Sequence, residues 1–210
     1  PEPKVSQEDI DRAAVIVEPI IEKAAQAALP FSYAVHELAE KVGAVGVIIG
    51  PVKTVERTAL KLADTVDGAG WDTSKLRDII RSTVVVGSYA EAQTVVDAIR
   101  RDFEVVSGRI KNRTDQEISG PDVSNGGFLS SGYGDVLVNV WFNGVQAEIQ
   151  INVPEMLSAK GAQGHKLFEI EAQLKRNSDE YKEVVVTEKE FYSAAASAAN
   201  FRHLSSESGM

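Results

Sequence analysis

The sequence predicts an α+β fold, with β-strands in the middle of the chain and helices on either side of them. Three observations lead there. Apolar residues recur at helical spacing near both ends of the chain. β-Branched runs occupy the middle. The stretch Gly132 to Val153, GYGDVLVNVWFNGVQAEIQINV, alternates on both sides of Asn143-Gly144. That dipeptide is a strong hairpin signal, because both residues tolerate the positive φ of a type I′ turn.

The elements follow in order. Ser6-Gln7-Glu8-Asp9 opens a helix with the spacing of a capping box. Ile10, Ala13, Ala14, Val17, Ile20, Ile21, Ala24 and Ala28 form its apolar stripe. Pro19 is expected to kink or divide it, since proline removes a helical N–H. A second helical stretch covers Phe31 to Val42, and its His36 reads as an ordinary helix residue. Gly43 to Pro51 reads as a loop or short helix. Lys53, Arg57 and Lys61 then line one face of a helix expected over Val52 to Asp64. Alone they make a solvated basic face; with other basic residues nearby they make a polyphosphate clamp.

Asp67 to Gly70 is a loop. The strand at Ser82 to Val86 is apolar on both faces and belongs inside a sheet, with Arg77, Asp78 and Arg81 at its entrance. Tyr89 to Asp102 is an amphipathic helix with Ala92, Val95, Val96 and Ile99 inward. Phe103 to Ile110 is a strand leading into the basic run Arg109, Lys111 and Arg113. Asn112 to Ser131 has no periodicity, and a loop that long is often functional. In the hairpin, Val136, Val138, Val140, Ala147, Ile149 and Ile151 share the core face. The other face pairs Trp141 with Gln146, Asn139 with Glu148, Leu137 with Gln150 and Asp135 with Asn152. Pro154 begins a helix through Arg176 that carries His165. A last helix covers Thr187 to Phe201, and the tail after it is polar and loose.

The 210 residues suffice for one domain with a real core. The absence of cysteine excludes disulfides, cysteine metal sites and a thiol nucleophile. No apolar run reaches the roughly 20 residues of a membrane span. The net charge of −9 does not favour nucleic acid. No Gly-x-x-x-x-Gly-Lys-Ser/Thr loop is present, so the chain is not a P-loop enzyme.

What remains is a constellation. Asp78 and Glu148 are carboxylates at strands or strand ends, and such a pair can hold Mg²⁺, which prefers oxygen ligands and phosphate partners. The basic groups Lys53/Arg57/Lys61, Arg77/Arg81 and Arg109/Lys111/Arg113 can neutralise a triphosphate. Tyr133 offers a ring for stacking. Together they suit nucleotidyl or pyrophosphoryl transfer.

The pieces Leu76-Arg77-Asp78-Ile79-Ile80-Arg81, Gly108-Arg109-Ile110-Lys111, Gly132-Tyr133, Glu148-Ile149-Gln150-Ile151, Met156 and Gly164-His165 stand in the order seen in RelA/SpoT-type synthetase domains. The resemblance covers residues 50 to 176. It implies a nucleotidyltransferase-like mixed β-sheet flanked by helices, with N-terminal and C-terminal helical extensions. The expected layout is a helical extension at 1–50, a catalytic core at 51–176 and a C-terminal helix and tail at 177–210.

The family transfers the β,γ-pyrophosphate of ATP to the 3′-hydroxyl of an acceptor nucleotide, making alarmones. By resemblance, Asp78 is a Mg²⁺ ligand, and Glu148 is a second ligand or the base for the hydroxyl. Tyr133 stacks on the acceptor base. Lys53, Arg57, Lys61, Arg77, Arg81, Arg109 and Lys111 bind phosphates. Asn139, Gln150 and His165 join the nucleotide-binding set. The chain departs from larger members at Thr83 and Asn152, where they have Arg, and at Leu137, where they have His.

There is no room for the hydrolase domain of bifunctional members. The expected partners are ATP and a purine nucleotide, with (p)ppApp or (p)ppGpp as product, and a cognate immunity protein. The variant motif and the non-Met start lean toward a toxin domain cut from a longer effector and delivered into a bacterial cytoplasm. A small housekeeping synthetase and a toxin acting on the tRNA 3′ end are the alternatives.

Overall fold

A computed structural model describes residues 5–64, 71–161 and 192–198. Its centre is a six-stranded mixed sheet of order β1-β2-β6-β5-β3-β4. The strands are β1 (Gly46–Ile49), β2 (Ile80–Val85), β3 (Glu104–Asn112), β4 (Val123–Asn125), β5 (Val136–Phe142) and β6 (Val145–Asn152). The helices are α1 (Gln7–Lys41), α2 (Val55–Ala63), α3 (Ala92–Asp102) and α4 (Pro154–Ala159), and 192–198 is also helical. The β2/β6 and β3/β4 pairs are parallel and the rest antiparallel. No described helix is long and apolar enough to cross a membrane.

The hairpin has the predicted register, Val136 opposite Ile151 through Phe142 opposite Val145. Asn143 and Gly144 both take positive φ, at 48° and 73°. Val136, Val138, Val140, Ala147, Ile149 and Ile151 are fully buried. At about 1.5–3 kcal/mol for each buried Val or Ile, this face anchors the core. α1 packs on β1, β2 and β6, and α3 packs on β3.

Three expectations are corrected. Pro19 does not divide the N-terminal helix: α1 runs 35 residues with Pro19 and Pro30 inside it. Its buried stripe, Ala13, Val17, Ala24, Ala27, Phe31, Val35 and Leu38, continues in one phase past both prolines, so packing outweighs the lost hydrogen bonds. Gly43 to Pro51 is not a loop or helix, because Gly46–Ile49 pairs with β2 as an edge strand. Four residues are too few to show a period. The stretch Asn112 to Ser131 contains β4, tied to β3 where Asn112 Nδ2 donates to Asn125 Oδ1 at 2.7 Å. The loop at 67–70 and most of the two C-terminal helices expected lie outside the described residues, as does His165.

Candidate active site

β2, β6 and β5 place the polar row side by side. Arg81 stands opposite Glu148, and Glu148 opposite Asn139. One step along, Thr83, Gln150 and Leu137 form the next row, and Lys111 continues it on β3. Parity produces this: every second residue of strands whose other face is core must meet here.

Glu148 is half-buried and accepts a 2.7 Å hydrogen bond from Gln150 Nε2. Burial pushes its carboxyl above the ordinary range, and Asp78 and Asp135 push the same way against Arg81. Gln150 is itself met by Thr83 Oγ1 at 3.4 Å. Asn139 Nδ2 donates to the Arg77 carbonyl at 3.3 Å, tying the row to the residue before Asp78.

Asp78 receives two ammonium groups, Lys53 directly and Lys61 at 2.8 Å. Burial works to raise its pKa, but the two lysines outweigh it and hold the carboxyl below the ordinary range. Lys53 is not on the helix, as the spacing suggested. Thr54 caps α2, and the Lys53 N–H binds the Ile79 carbonyl at 3.0 Å, which delivers the side chain to Asp78 by another route. Arg57 points from α2 as an exposed side chain. Arg77 and Arg109 are half-buried and close enough that Arg109, after burial, lowers the Arg77 pKa. Lys111 is exposed.

The two carboxylates fit the ion that the motif order implies. Asp78 and Glu148 repel one another and offer only hard oxygen donors. Among the described residues no group of three or more metal-ligating side chains occurs. One or two carboxylates completed by phosphate oxygens is the usual Mg²⁺ arrangement, in contrast to an all-protein cage.

Tyr133 is buried, 9% exposed, so its ring is no open platform in this structure. Tyr192 meets it edge-on at 5.4 Å, and Lys160 and Arg113 lie 5.1 and 5.9 Å from its centre. Asn152 Nδ2 donates to its hydroxyl at 3.1 Å, and the Tyr89 hydroxyl lies 2.7 Å from Asn152 Oδ1. Asn152, the departure position, therefore belongs to a closed network. Asp135 is buried beside it, gripped by Arg113 through two bonds of 2.7 and 2.8 Å. Burial raises the Asp135 pKa, against the pull of Arg113.

Sequence reasoning missed the Arg113–Asp135 pair and Lys160. Register carried the signal for the first, since Asp135 extends the polar face of the hairpin. Nothing in the spacing marked Lys160.

No family model and no curated protein matches the chain in sequence. Solved structures do match in fold. The Type VI effector Tas1, solved with its immunity protein, is 22% identical with a TM-score of 0.58, over 85% of this chain and 95% of that one. Small alarmone synthetase 1 from Bacillus subtilis, bound to its product pppGpp, is 15% identical with a TM-score of 0.64, over 92% and 98%. A GTP pyrophosphokinase family protein from Streptococcus pneumoniae is 18% identical with a TM-score of 0.59, over 93% and 98%. The chain has the fold of the RelA/SpoT-type small alarmone synthetases, the fold that its motif order resembles.

Proposed function

We propose that the protein is an ATP-dependent pyrophosphokinase that transfers the β,γ-pyrophosphate of ATP to the 3′-hydroxyl of a purine nucleotide. The observation that carries this is Arg81 beside Glu148 on the polar sheet face, with Asp78, held by Lys53 and Lys61, at the entrance of β2 and near enough to act on the Glu148 carboxyl. The same fold in a synthetase holding pppGpp supports it.

In this reading Glu148 takes the proton from the 3′-hydroxyl, and burial, by raising its pKa, makes it a stronger base than an exposed carboxylate. The 3′-oxygen forms a bond to the β-phosphorus. The bond from that phosphorus to the oxygen bridging the α-phosphate breaks, and AMP leaves with that oxygen. Gln150 holds the Glu148 carboxylate in place. Lys53, Lys61 and Arg81 neutralise the phosphates, with Arg77 and Arg109 at the margin. Mg²⁺ would be held by Asp78 and phosphate oxygens, and would supply charge neutralisation and leaving-group orientation.

The product is (p)ppApp or (p)ppGpp, and the biological role is that of a toxin domain acting in a bacterial cytoplasm and countered by an immunity protein. The fold likeness to an effector solved with its immunity protein supports that role. The test is incubation with ATP, Mg²⁺ and each of GTP, GDP, ATP, ADP and AMP, followed by chromatography. A 3′-pyrophosphorylated nucleotide and AMP are expected. No product with any acceptor, from folded protein, overturns the reading.

A further inference from the structure

Gly50, the residue after β1, donates its N–H to the Arg81 carbonyl at 3.0 Å and continues the β1/β2 register, so it stands opposite Arg81 at the edge of the sheet. It is not among the glycines of positive φ, and the proline after it favours extended backbone. The path of the chain therefore does not call for glycine here. What calls for it is space. A Cβ built on Gly50 would lie 2.7 Å from Arg81 Cγ and 2.9 Å from Arg81 Nε. Carbon atoms in contact stay about 3.5–4.0 Å apart, so the Arg81 side chain lies across Gly50, where any other residue would put its own. Cγ sits next to the backbone, and it can clear an added Cβ only by a change of the χ1 rotamer.

Arg81 has a second neighbour in the same row, Glu148 on β6. Opposite charges that face one another on adjacent strands ordinarily pair. These two do not. Among the described residues Arg81 joins no salt bridge, and Glu148 takes its hydrogen bond from Gln150 at 2.7 Å. Arg81 can lean to the β1 side or to the β6 side, and it takes the β1 side, which glycine leaves open. The guanidinium fork, which matches phosphate oxygens, is thereby left unpaired, and the Glu148 carboxylate is left uncovered.

We propose that Gly50 is a positioning residue: by withholding a side chain it holds Arg81 at the sheet edge, off Glu148, with its guanidinium open to the phosphates of the nucleotide. The proposal rests on the nucleotide reading above. A side chain at position 50 drives Arg81 to the other side of its row, onto Glu148, where the two charges occupy each other and neither meets substrate.

Calorimetry on the full chain with α,β-methylene-ATP and Mg²⁺ reads this without turnover, in wild type, Gly50→Ala, Arg81→Ala and the double variant. Gly50→Ala is expected to weaken binding about tenfold, close to the loss in Arg81→Ala. In the Arg81→Ala background Cγ and Nε are gone, and Gly50→Ala should change the affinity less than about twofold. A loss of equal size in both backgrounds means that Gly50 serves the backbone alone, and overturns the proposal. Wild-type affinity in Gly50→Ala or in Arg81→Ala overturns it too, as does no binding by the wild type. Affinities that follow the predicted pattern in a protein that makes no product would remove the proposed reaction and leave Gly50 in its role.

Where Gly50→Ala does not fold, NMR of the arginine Nε–H groups in the wild type replaces it, with the Arg81 signal assigned by its loss in Arg81→Lys. Lodged on Gly50, the Arg81 Nε–H of the nucleotide-free protein must be held more rigidly than that of exposed Arg57, and it must shift when α,β-methylene-ATP binds. An Arg81 signal as mobile as that of Arg57, or one that the nucleotide does not move, overturns the proposal.

Discussion

Asn152→Ala is expected to destabilise the protein by about 2–4 kcal/mol. The side chain is fully buried and makes three hydrogen bonds. It accepts from the Tyr89 hydroxyl at 2.7 Å and from the Val153 N–H at 2.8 Å, and it donates to the Tyr133 hydroxyl at 3.1 Å. Each is worth about 1 kcal/mol net, and a buried donor left without an acceptor costs more. Tyr89 keeps a second acceptor, the Gly134 carbonyl at 2.8 Å, which limits the loss there. Tyr89→Phe is therefore the milder change, about 1–2 kcal/mol. The two share one bond, so the double variant should fall short of the sum by about 1 kcal/mol. Asn152→Arg, which restores the residue of larger synthetases, places an unpaired guanidinium in the closed network and should cost about 3 kcal/mol or more. Urea denaturation followed by circular dichroism measures all four. A loss under about 0.5 kcal/mol for Asn152→Ala, or strict additivity with Tyr89→Phe, would refute the network as the reason for this residue.

Other outcomes follow from the same geometry. Glu148→Gln should abolish transfer yet raise stability at neutral pH. The folded-state pKa of Glu148 lies above the ordinary 4.5, so its ionisation opposes folding. That cost is absent at pH values below 4.5, grows as pH rises through 4.5 to the raised value, and is complete above it. Melting temperatures of the two proteins should therefore separate on going from acid to neutral pH, and a constant gap contradicts the burial argument. Replacing both Lys53 and Lys61 by Met frees Asp78, so the nucleotide-free protein should bind Mn²⁺ more tightly in an electron paramagnetic resonance titration; unchanged or weaker binding counts against Asp78 as a ligand. Gly144→Val forces a β-branched residue to a φ of 73° and should cost about 1–2 kcal/mol in a thermal melt. An unchanged melting temperature would mean that the turn is not the one described.

The hairpin was legible in the sequence because strand alternation and Asn-Gly turn chemistry are local. Its register placed Glu148, Asn139 and Gln150 on one face without any tertiary information. The Lys53–Asp78 contact was half legible: the residues were singled out, but the route was wrong, since a Thr54 cap and a backbone bond to Ile79 deliver Lys53 from outside the helix. Other features were hidden because their causes are long-range. β1 exists only through pairing with β2, and α1 survives Pro19 only through its packed stripe. Asn152 was legible only as a departure from the larger members on the polar face of the hairpin, because its partners, Tyr89 and Tyr133, come from distant segments. Lys160 reaches the Tyr133 ring from the end of a helix, where no spacing marks it.

The central claim is that a pyrophosphate, not a single phosphate, moves. ATP labelled at the γ-position, incubated with Mg²⁺ and the preferred purine nucleotide, tests it in one chromatogram. The account predicts that label enters a nucleotide carrying two added phosphates on its 3′-oxygen, with AMP formed in equal amount and neither seen with Glu148→Gln. Label appearing as inorganic phosphate beside ADP, or a product with one added phosphate, would contradict it.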